Sequence, residues 1–268
     1  MAKKPIDPVV SIAGSFQSTA QLLAAALTKR GGNLAEAVML LAKPAYSDKL
    51  DALADILATV REEPKLAKDV AEKAAIAAKK RAVIEPWVVF YTNHFPQEFA
   101  AAGGAEVLYA ITLPPAREGL PCLLVVLEGL TMNRLYAEIT KQGYPCWRYA
   151  GDLDGSIPKN DRVPNKSYAL WHRGRDEADE ELKDLSANDL ALRQIKTMGV
   201  IEYEVFKLKH FEDTTRHLDV INITLLAGSR NADGYVPFAH WHVGTFRVHW
   251  TLPRYSHPNL RSREVVSD

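Results

Sequence analysis

The chain has 268 residues with 33 basic and 33 acidic side chains, so its formal charge is zero, and 47% of its residues are hydrophobic. This length suits one or two domains, and this much apolar content is enough for a packed core. The balanced charge argues against a general binder of nucleic acid or of a membrane surface, because both functions need a basic excess.

Two features indicate the cellular compartment. Cys122 and Cys146 are too few for a disulfide framework, which favours a protein that folds in a reducing environment. The opening sequence MAKKPIDPVV has no apolar segment of signal-peptide length after its lysines, and no stretch approaches the ~18 apolar residues of a membrane span. We therefore expect a cytoplasmic protein without a membrane span; export by a route without a cleaved signal stays open.

The N-terminal part is rich in Ala, Leu, Lys and Glu and has apolar residues at helical spacing. It predicts four helices, over residues 16–32, 33–43, 47–63 and 65–81. We expect a small all-α domain over residues 1–84. Its apolar stripes are expected to form the domain core, and the alternative is a surface for self-association.

After residue 82 the composition changes. VIEPWVVFYTN (83–93) and AEVLYAITLP (105–114) predict strands from their β-branched and aromatic residues, and CLLVVLEG (122–129) predicts a buried strand. Helices are predicted over 131–143, with Thr131 as N-cap, and over 197–214. Ser186 and Asp189 have the spacing of a capping box. With the long Pro- and Gly-rich segments between them, these elements predict an α+β domain with little regular structure over residues 85–268.

The usual signatures of catalysis and cofactor binding are missing. The sequence has no C-x-x-C, no Gly-rich phosphate loop and no G-x-S-x-G nucleophile motif. Asp152 and Asp154 resemble the start of a calcium loop that lacks its third acid and terminal Glu. His240, His242 and His249 would suit zinc only with a further ligand. The sequence therefore predicts no cofactor, no metal and no catalytic residue.

The segment AHWHVGTFRVHW (239–250) combines two kinds of side chain in alternation. His240, His242, Arg247 and His249 are typical of a contact surface, whereas the interleaved Trp, Phe and Val residues are typical of a buried strand face. From residue 229 to residue 263 there is no Lys, Glu, Gln or Met, although these types are common elsewhere in the chain. Exclusion of the commonest surface residues indicates a biased source of substitutions.

Residues 120–268 resemble the variable proteins of diversity-generating retroelements. The resemblance is carried by four ordered motifs: PCWRYAGDLDGSIPKNDR, SYALWHRGRDEADEELKDLSANDL, HLDVINITLLAGSR and LRSREVVS. In that family, error-prone reverse transcription changes adenines of a template repeat that overwrites the 3′ end of the gene, and the codons reached exclude Lys, Glu, Gln, Met and Trp. The resemblance implies a C-type-lectin-like fold, shared with formylglycine-generating enzymes, with an exposed variable region at about 230–260.

The resemblance also implies a role for individual residues. Ligand contacts from variable positions are expected at Tyr235, Phe238, His240, His242, Arg247, His249, Thr251, Leu252, Arg254, Tyr255, His257 and Asn259. Scaffold roles are expected for Trp147, Trp171, Trp241, Phe246, Trp250, Arg261 and Arg263. Val243 is also expected in the fixed scaffold. The expected ligand is a macromolecule, in the first instance a protein, and nucleic acid is not expected. The alternative is an enzyme of the formylglycine-generating type, which would need reactive cysteines.

Three structural expectations follow. The four tryptophans of the scaffold should be mostly buried. The contact residues should share one solvent-facing patch, with Trp241 and Phe246 turned inward. Polar framework residues should hold the long loops in place through hydrogen bonds and ion pairs. These residues are Asp152, Asp154, Arg162, Arg173, Arg175, Asp184, Arg230, Arg261 and Arg263.

Overall fold

The structure, a computed structural model, describes residues 64–267, with side chains from residue 72 onward. The chain divides into two compact units, Met1–Ala82 and Val83–Asp268. The helices predicted over 16–32, 33–43 and 47–63, and the alternative of a self-association surface on them, lie outside the described residues. Within the described range, no helix is both long enough and apolar enough to cross a membrane.

The first described helix, α1 (Pro64–His94), extends through the segment 83–93. The strand predicted there is wrong, as is the predicted helix end at residue 81. Ile84, Trp87 and Phe90 are buried at intervals of three residues, which is the spacing of one helix face. The β-branched and aromatic residues of this segment favour a strand only weakly, because strand propensity depends strongly on context, and the packing of one helix face prevails.

Two short helices follow, α2 (Pro96–Ala101) and α3 (Ala105–Ala110). The strand predicted over 105–114 is therefore also wrong. Gly103 and Gly104, with φ of 102° and 69°, occupy the left-handed region before α3, which glycine enters without a steric penalty. A short apolar run does not by itself separate helix from strand.

The remaining described helices are α4 (Met132–Thr140), α5 (Leu153–Ser156), α6 (Ala187–Leu192) and α7 (Val200–Thr214), with a 3₁₀ turn at Glu180–Leu182. The predicted caps are confirmed. The Thr131 side chain accepts the Arg134 N–H, and Ser186 and Asp189 form a reciprocal capping box before α6.

Nine short strands form three sheets within the described residues. They are β1 (Cys122–Val126), β2 (Cys146–Arg148), β3 (Lys159–Asn160), β4 (Tyr168–His172), β5 (Ile223–Leu225), β6 (Ser229–Arg230), β7 (Val236–His242), β8 (Thr245–Thr251) and β9 (Leu260–Arg261). The predicted strand in 122–129 is confirmed as β1, which pairs antiparallel with β4, and β3 pairs antiparallel with β6. The largest sheet has the order β2-β8-β7-β5-β9, with parallel pairs at both edges. The described chain is thus a mixed helix-and-sheet structure, as predicted.

The five-stranded sheet separates two apolar clusters. On one face, Ala239, Phe246 and Val248 join the main core, which also contains residues of α1, α4, β1 and α7. On the other face, at the β5 and β9 end, Leu225 and Leu260 join a smaller cluster with leucines of the 180–190 region. The opposite end of this second face, at β2, β8 and the end of β7, lies outside both clusters.

Helix α7 is buried around nearly its whole circumference, including its charged residues Glu202, Glu204 and Lys207. Glu202 accepts hydrogen bonds from Arg162 and Tyr168. The Lys207 ammonium group lies over the rings of Tyr144, Trp241 and Phe246, 4.6 Å from the last. Burial lowers the pKa of Lys207 to about 8. This helix therefore places polar groups inside the domain.

Glu204 is the least satisfied of these groups, because both carboxyl oxygens are buried without a hydrogen-bond partner. Burial raises its pKa well above the ordinary value, and the nearby Asp154 raises it further. Since the unfolded chain ionises this group above about pH 4.3 whereas the folded chain keeps it protonated, folding is increasingly opposed as pH rises. We expect Glu204→Met to raise the free energy of unfolding at pH 8 by about 1–3 kcal/mol.

Chemical denaturation at pH 8 and at pH 4 checks this prediction. The gain in unfolding free energy of Glu204→Met over the wild type should be smaller at pH 4, where the wild-type carboxyl group is largely protonated in both the folded and the unfolded chain. Glu204→Gln is the matched control, because it removes the ionisation but keeps an unsatisfied polar group. A wild-type protein at least as stable as Glu204→Met at pH 8 would mean that the carboxyl group is satisfied after all.

Candidate functional site

The exposed end of the five-stranded sheet carries a row of rings around one arginine. In the antiparallel β7–β8 pair, Phe238 is opposite His249, and His240 is opposite Arg247. In the parallel β2–β8 pair, Trp147 is opposite Arg247. Side chains at alternate strand positions share a face, so these groups project on the same side of the sheet. We call this set, with His242, the ring-lined surface: Trp147, Phe238, His240, His242, Arg247 and His249.

The rings contact one another. The His249 ring lies 4.2 Å from that of Trp147 and stacks on Phe238 at 5.3 Å, centroid to centroid. His240 stacks on His242 at 5.5 Å. All five rings are half-buried or exposed, and Phe238 also packs against the smaller apolar cluster. The result is a continuous aromatic surface across three strands.

The opposite face of the same strands is core, as the period-two pattern predicted. Phe246 is 1% exposed and its ring lies 6.2 Å from Tyr136 of α4 and 6.3 Å from Tyr203 of α7. Trp241 turns to this side, where it stacks on His217 at 3.5 Å and meets Tyr144 edge-on. Successive residues of β7 and β8 therefore alternate between the ring-lined surface and the inner face that packs against the core.

Two scaffold predictions need correction. Trp147 is 41% exposed, because the pairing of β2 with β8 places it beside Arg247 on the ring-lined surface. Val243 is 84% exposed, since it forms the two-residue turn between β7 and β8 with Gly244, both at positive φ. The other three scaffold tryptophans, Trp171, Trp241 and Trp250, are half-buried.

The remaining predicted contact residues lie in the turns around these strands. Tyr235 is exposed at the start of β7, and Thr251 ends β8 opposite Val236. The others follow β8 in one loop and are exposed: Leu252, Arg254, Tyr255, His257 and Asn259. The strand residues are thus brought together in register, whereas Arg254 and Tyr255 belong to an adjoining loop.

Arg247 is the only member of the ring-lined surface that is charged at every physiological pH. Its Nε is buried without a hydrogen-bond partner. Burial first, and then the neighbours His242, His249 and Arg247, together lower the pKa of His240 to about 4. The pKa of His249 is lowered by burial and by Arg247. At neutral pH these two histidines are therefore uncharged rings beside an unpaired guanidinium group.

The loops around the sheet are fixed by arginines, as predicted. Arg263 donates to the Arg175 and Asp176 carbonyls, to Thr224 Oγ1 and to the Asp219 carboxylate at 2.7 Å. Asp219 is fully buried and also accepts from Tyr203 and Thr224. Sequence reasoning missed Asp219, since an aspartate in a loop gives no signal of burial.

The other framework residues make similar contacts. Arg162 joins Glu202 to the Thr197 carbonyl, and Arg173 joins Asp179 to Glu264. Further contacts are made by Arg175 to Glu181, by Arg230 to the Ala227 and Ser229 carbonyls, and by Arg261 to Glu180. For Asp184 the prediction is wrong, because its side chain is exposed and makes no hydrogen bond or ion pair with the described residues.

The acids that resembled a calcium loop are used as helix caps. Asp154 accepts the backbone N–H groups of Met132 and Asn133, at the start of α4. Asp152 accepts from Gly155 N–H and from the Asn133 amide. Their oxygen atoms therefore have partners within the protein. Among residues 64–267, no group of three or more His, Cys, Asp or Glu is placed to hold a metal ion.

The two cysteines are free thiols on different sheets, Cys122 on β1 and Cys146 on β2. Burial raises the pKa of both, and the Lys207 ammonium group offsets this only in part for Cys146. Since the thiolate is the reactive form, neither residue is activated as a nucleophile. The groups that the ring-lined surface provides for binding are its aromatic rings and the Arg247 cation.

Comparisons of the chain with protein-family models, with curated proteins and with solved structures gave no match.

Proposed function

We propose that this chain is a diversified ligand-binding protein with a C-type-lectin-like C-terminal domain. Its ring-lined surface and the loop that follows β8 would set specificity for a macromolecular ligand, a protein. The proposal rests on the resemblance to the variable proteins of diversity-generating retroelements and on one observation of geometry. Along β7 and β8, the predicted contact residues Phe238, His240, His242, Arg247 and His249 lie on one face, while Phe246 and Val248 face the core.

That alternation is what a diversified surface requires. An exposed side chain that carries little of the packing can be exchanged with small changes in stability, typically within about 0.5 kcal/mol. The backbone beneath it lies in a hydrogen-bonded sheet, which reduces the ordering cost of binding. Aromatic rings and arginine supply large contact areas for few rotatable bonds.

The shape of the surface favours a macromolecule over a small molecule. A cleft of about 440 Å³ in the described residues lies beside Arg162, Lys166 and Tyr168, and no residue of the ring-lined surface lines it. Small-molecule sites are concave. An array of five rings is suited to a broad protein contact.

A displayed library tests the proposal. His240, His242, Arg247 and His249 are randomised together, with Phe238 kept because it packs against the smaller apolar cluster. Clones are selected against one folded protein that the wild type does not bind. We expect most clones to fold, with melting temperatures within about 10 °C of the wild type, and specific binders to emerge. A control library randomises Ala239, Phe246 and Val248, and most of its clones should not fold. The proposal fails if both libraries lose folded clones equally.

A further inference from the structure

We infer that the ligand of the ring-lined surface is a protein segment that places an aspartate or glutamate carboxylate on Arg247, between the rings of Trp147 and His240. This inference rests on the proposed function, because it specifies the ligand chemistry of the same surface.

The first support is the unsatisfied guanidinium group. Several other arginines of the domain form ion pairs: Arg162 with Glu202, Arg173 with Asp179 and Arg263 with Asp219. Among the residues that the structure describes, no ion pair includes Arg247, and its Nε is buried with no acceptor. The two terminal nitrogens of the same guanidinium group are not buried and have no partner among the described residues, so a ligand carboxylate can bind them.

The second support is the charge of the surroundings. From residue 234 to residue 263 the sequence contains no Asp or Glu, although it contains Arg247, Arg254, Arg261 and Arg263. Arg261 and Arg263 are paired with Glu180 and Asp219. Arg247 is therefore a fixed positive charge on a surface whose own strands and turns offer no carboxylate. A ligand of opposite charge is complementary to it.

The third support is the small number of cations, which distinguishes a protein carboxylate from the phosphates of a nucleic acid. Nucleic-acid binding typically neutralises several phosphates with several cations, about 6–10 in strong binders. The ring-lined surface has one cation and the adjoining loop adds only Arg254, which is fewer than such binding uses. Burial keeps His240 neutral at pH 7. A carboxylate suits the planar guanidinium group, which binds it through two parallel hydrogen bonds. The apolar part of the same protein segment would cover the rings.

Selection from a phage-displayed library of random short peptides tests this inference. Full-length wild-type protein, Arg247→Met and Lys159→Met are each used as bait. Lys159→Met is the matched control, because it removes one exposed positive charge on β3, outside the ring-lined surface. We expect Asp and Glu to be enriched in the peptides that bind wild type and Lys159→Met, but not in those that bind Arg247→Met. A synthetic peptide from the wild-type pool should lose about tenfold or more in affinity on Arg247→Met.

Three other outcomes overturn the inference, and they differ in what they leave standing. Peptides without acidic enrichment whose binding is lost on Phe238→Ala would reject the carboxylate and keep the proposed function. Peptides unaffected by any substitution on the ring-lined surface would reject both. Competition by inorganic phosphate or a short oligothymidylate that depends on Arg247 would show that the cation takes a phosphate, and so reject a protein carboxylate.

Discussion

Replacing Arg263 by methionine should lower the free energy of unfolding by about 3–5 kcal/mol, because it leaves the buried Asp219 carboxylate without its cation. Asp219 is fully buried, and the same arginine also holds the carbonyls of Arg175 and Asp176. For a chain of this size the loss corresponds to a fall in melting temperature of about 10 °C. Thermal and urea denaturation of the variant measure both quantities.

Arg175→Met is the matched control for this experiment. Arg175 pairs with Glu181, and the two side chains are 47% and 48% exposed. Exposed pairs contribute about 0–1 kcal/mol, so the control should unfold close to the wild type. If Arg263→Met were as mild as Arg175→Met, the Arg263–Asp219 pair would not organise the loops as described.

The second large effect is expected at Phe246. Phe246→Ala should lower the free energy of unfolding by about 3–5 kcal/mol, because it leaves a cavity beside Tyr136 and Tyr203 in the main core. His249→Ala, three residues along the same strand but on the outer face, should lower it by about 1 kcal/mol or less, since it loses only ring stacking. Urea denaturation of both variants measures the difference.

The comparison of the two losses in unfolding free energy shows which face of β8 supports the core. A large loss from His249→Ala, close to that from Phe246→Ala, would place His249 among the residues that support the core. The outer face of β8 would then not be free to vary, and the assignment of exposed contacts and inward scaffold would be wrong.

The sequence predicted the alternation in β7 and β8 because two faces with different surroundings impose a period of two. It could not predict that Trp147 joins the outer face. That position depends on the parallel register between β2 and β8, about a hundred residues apart, and no local pattern encodes such a register. The prediction of a scaffold role for Trp147 is therefore wrong, although this is the most exposed tryptophan of the described residues.

Two helices also show which features a local sequence pattern does not predict. In α1 the spacing of Ile84, Trp87 and Phe90 indicates a helix, whereas the β-branched and aromatic composition of the same segment favours a strand. In α7 the pattern identified the helix but suggested a single apolar face. The burial of Glu204 and Lys207 arises from the layers that surround the helix, which are set by tertiary packing.

The central claim is that a retroelement diversifies the outer face of β7 and β8 and the loop after β8. Sequencing the DNA downstream of the coding region tests it most directly. The account predicts a near-repeat of the 3′ end of the gene, in which adenines stand in the codons for Phe238, His240, His242, Arg247 and His249, close to a reverse transcriptase gene. The codons for Trp241, Phe246 and Trp250 should be unchanged. The absence of a repeat, or differences that fall on those three codons, would contradict the account.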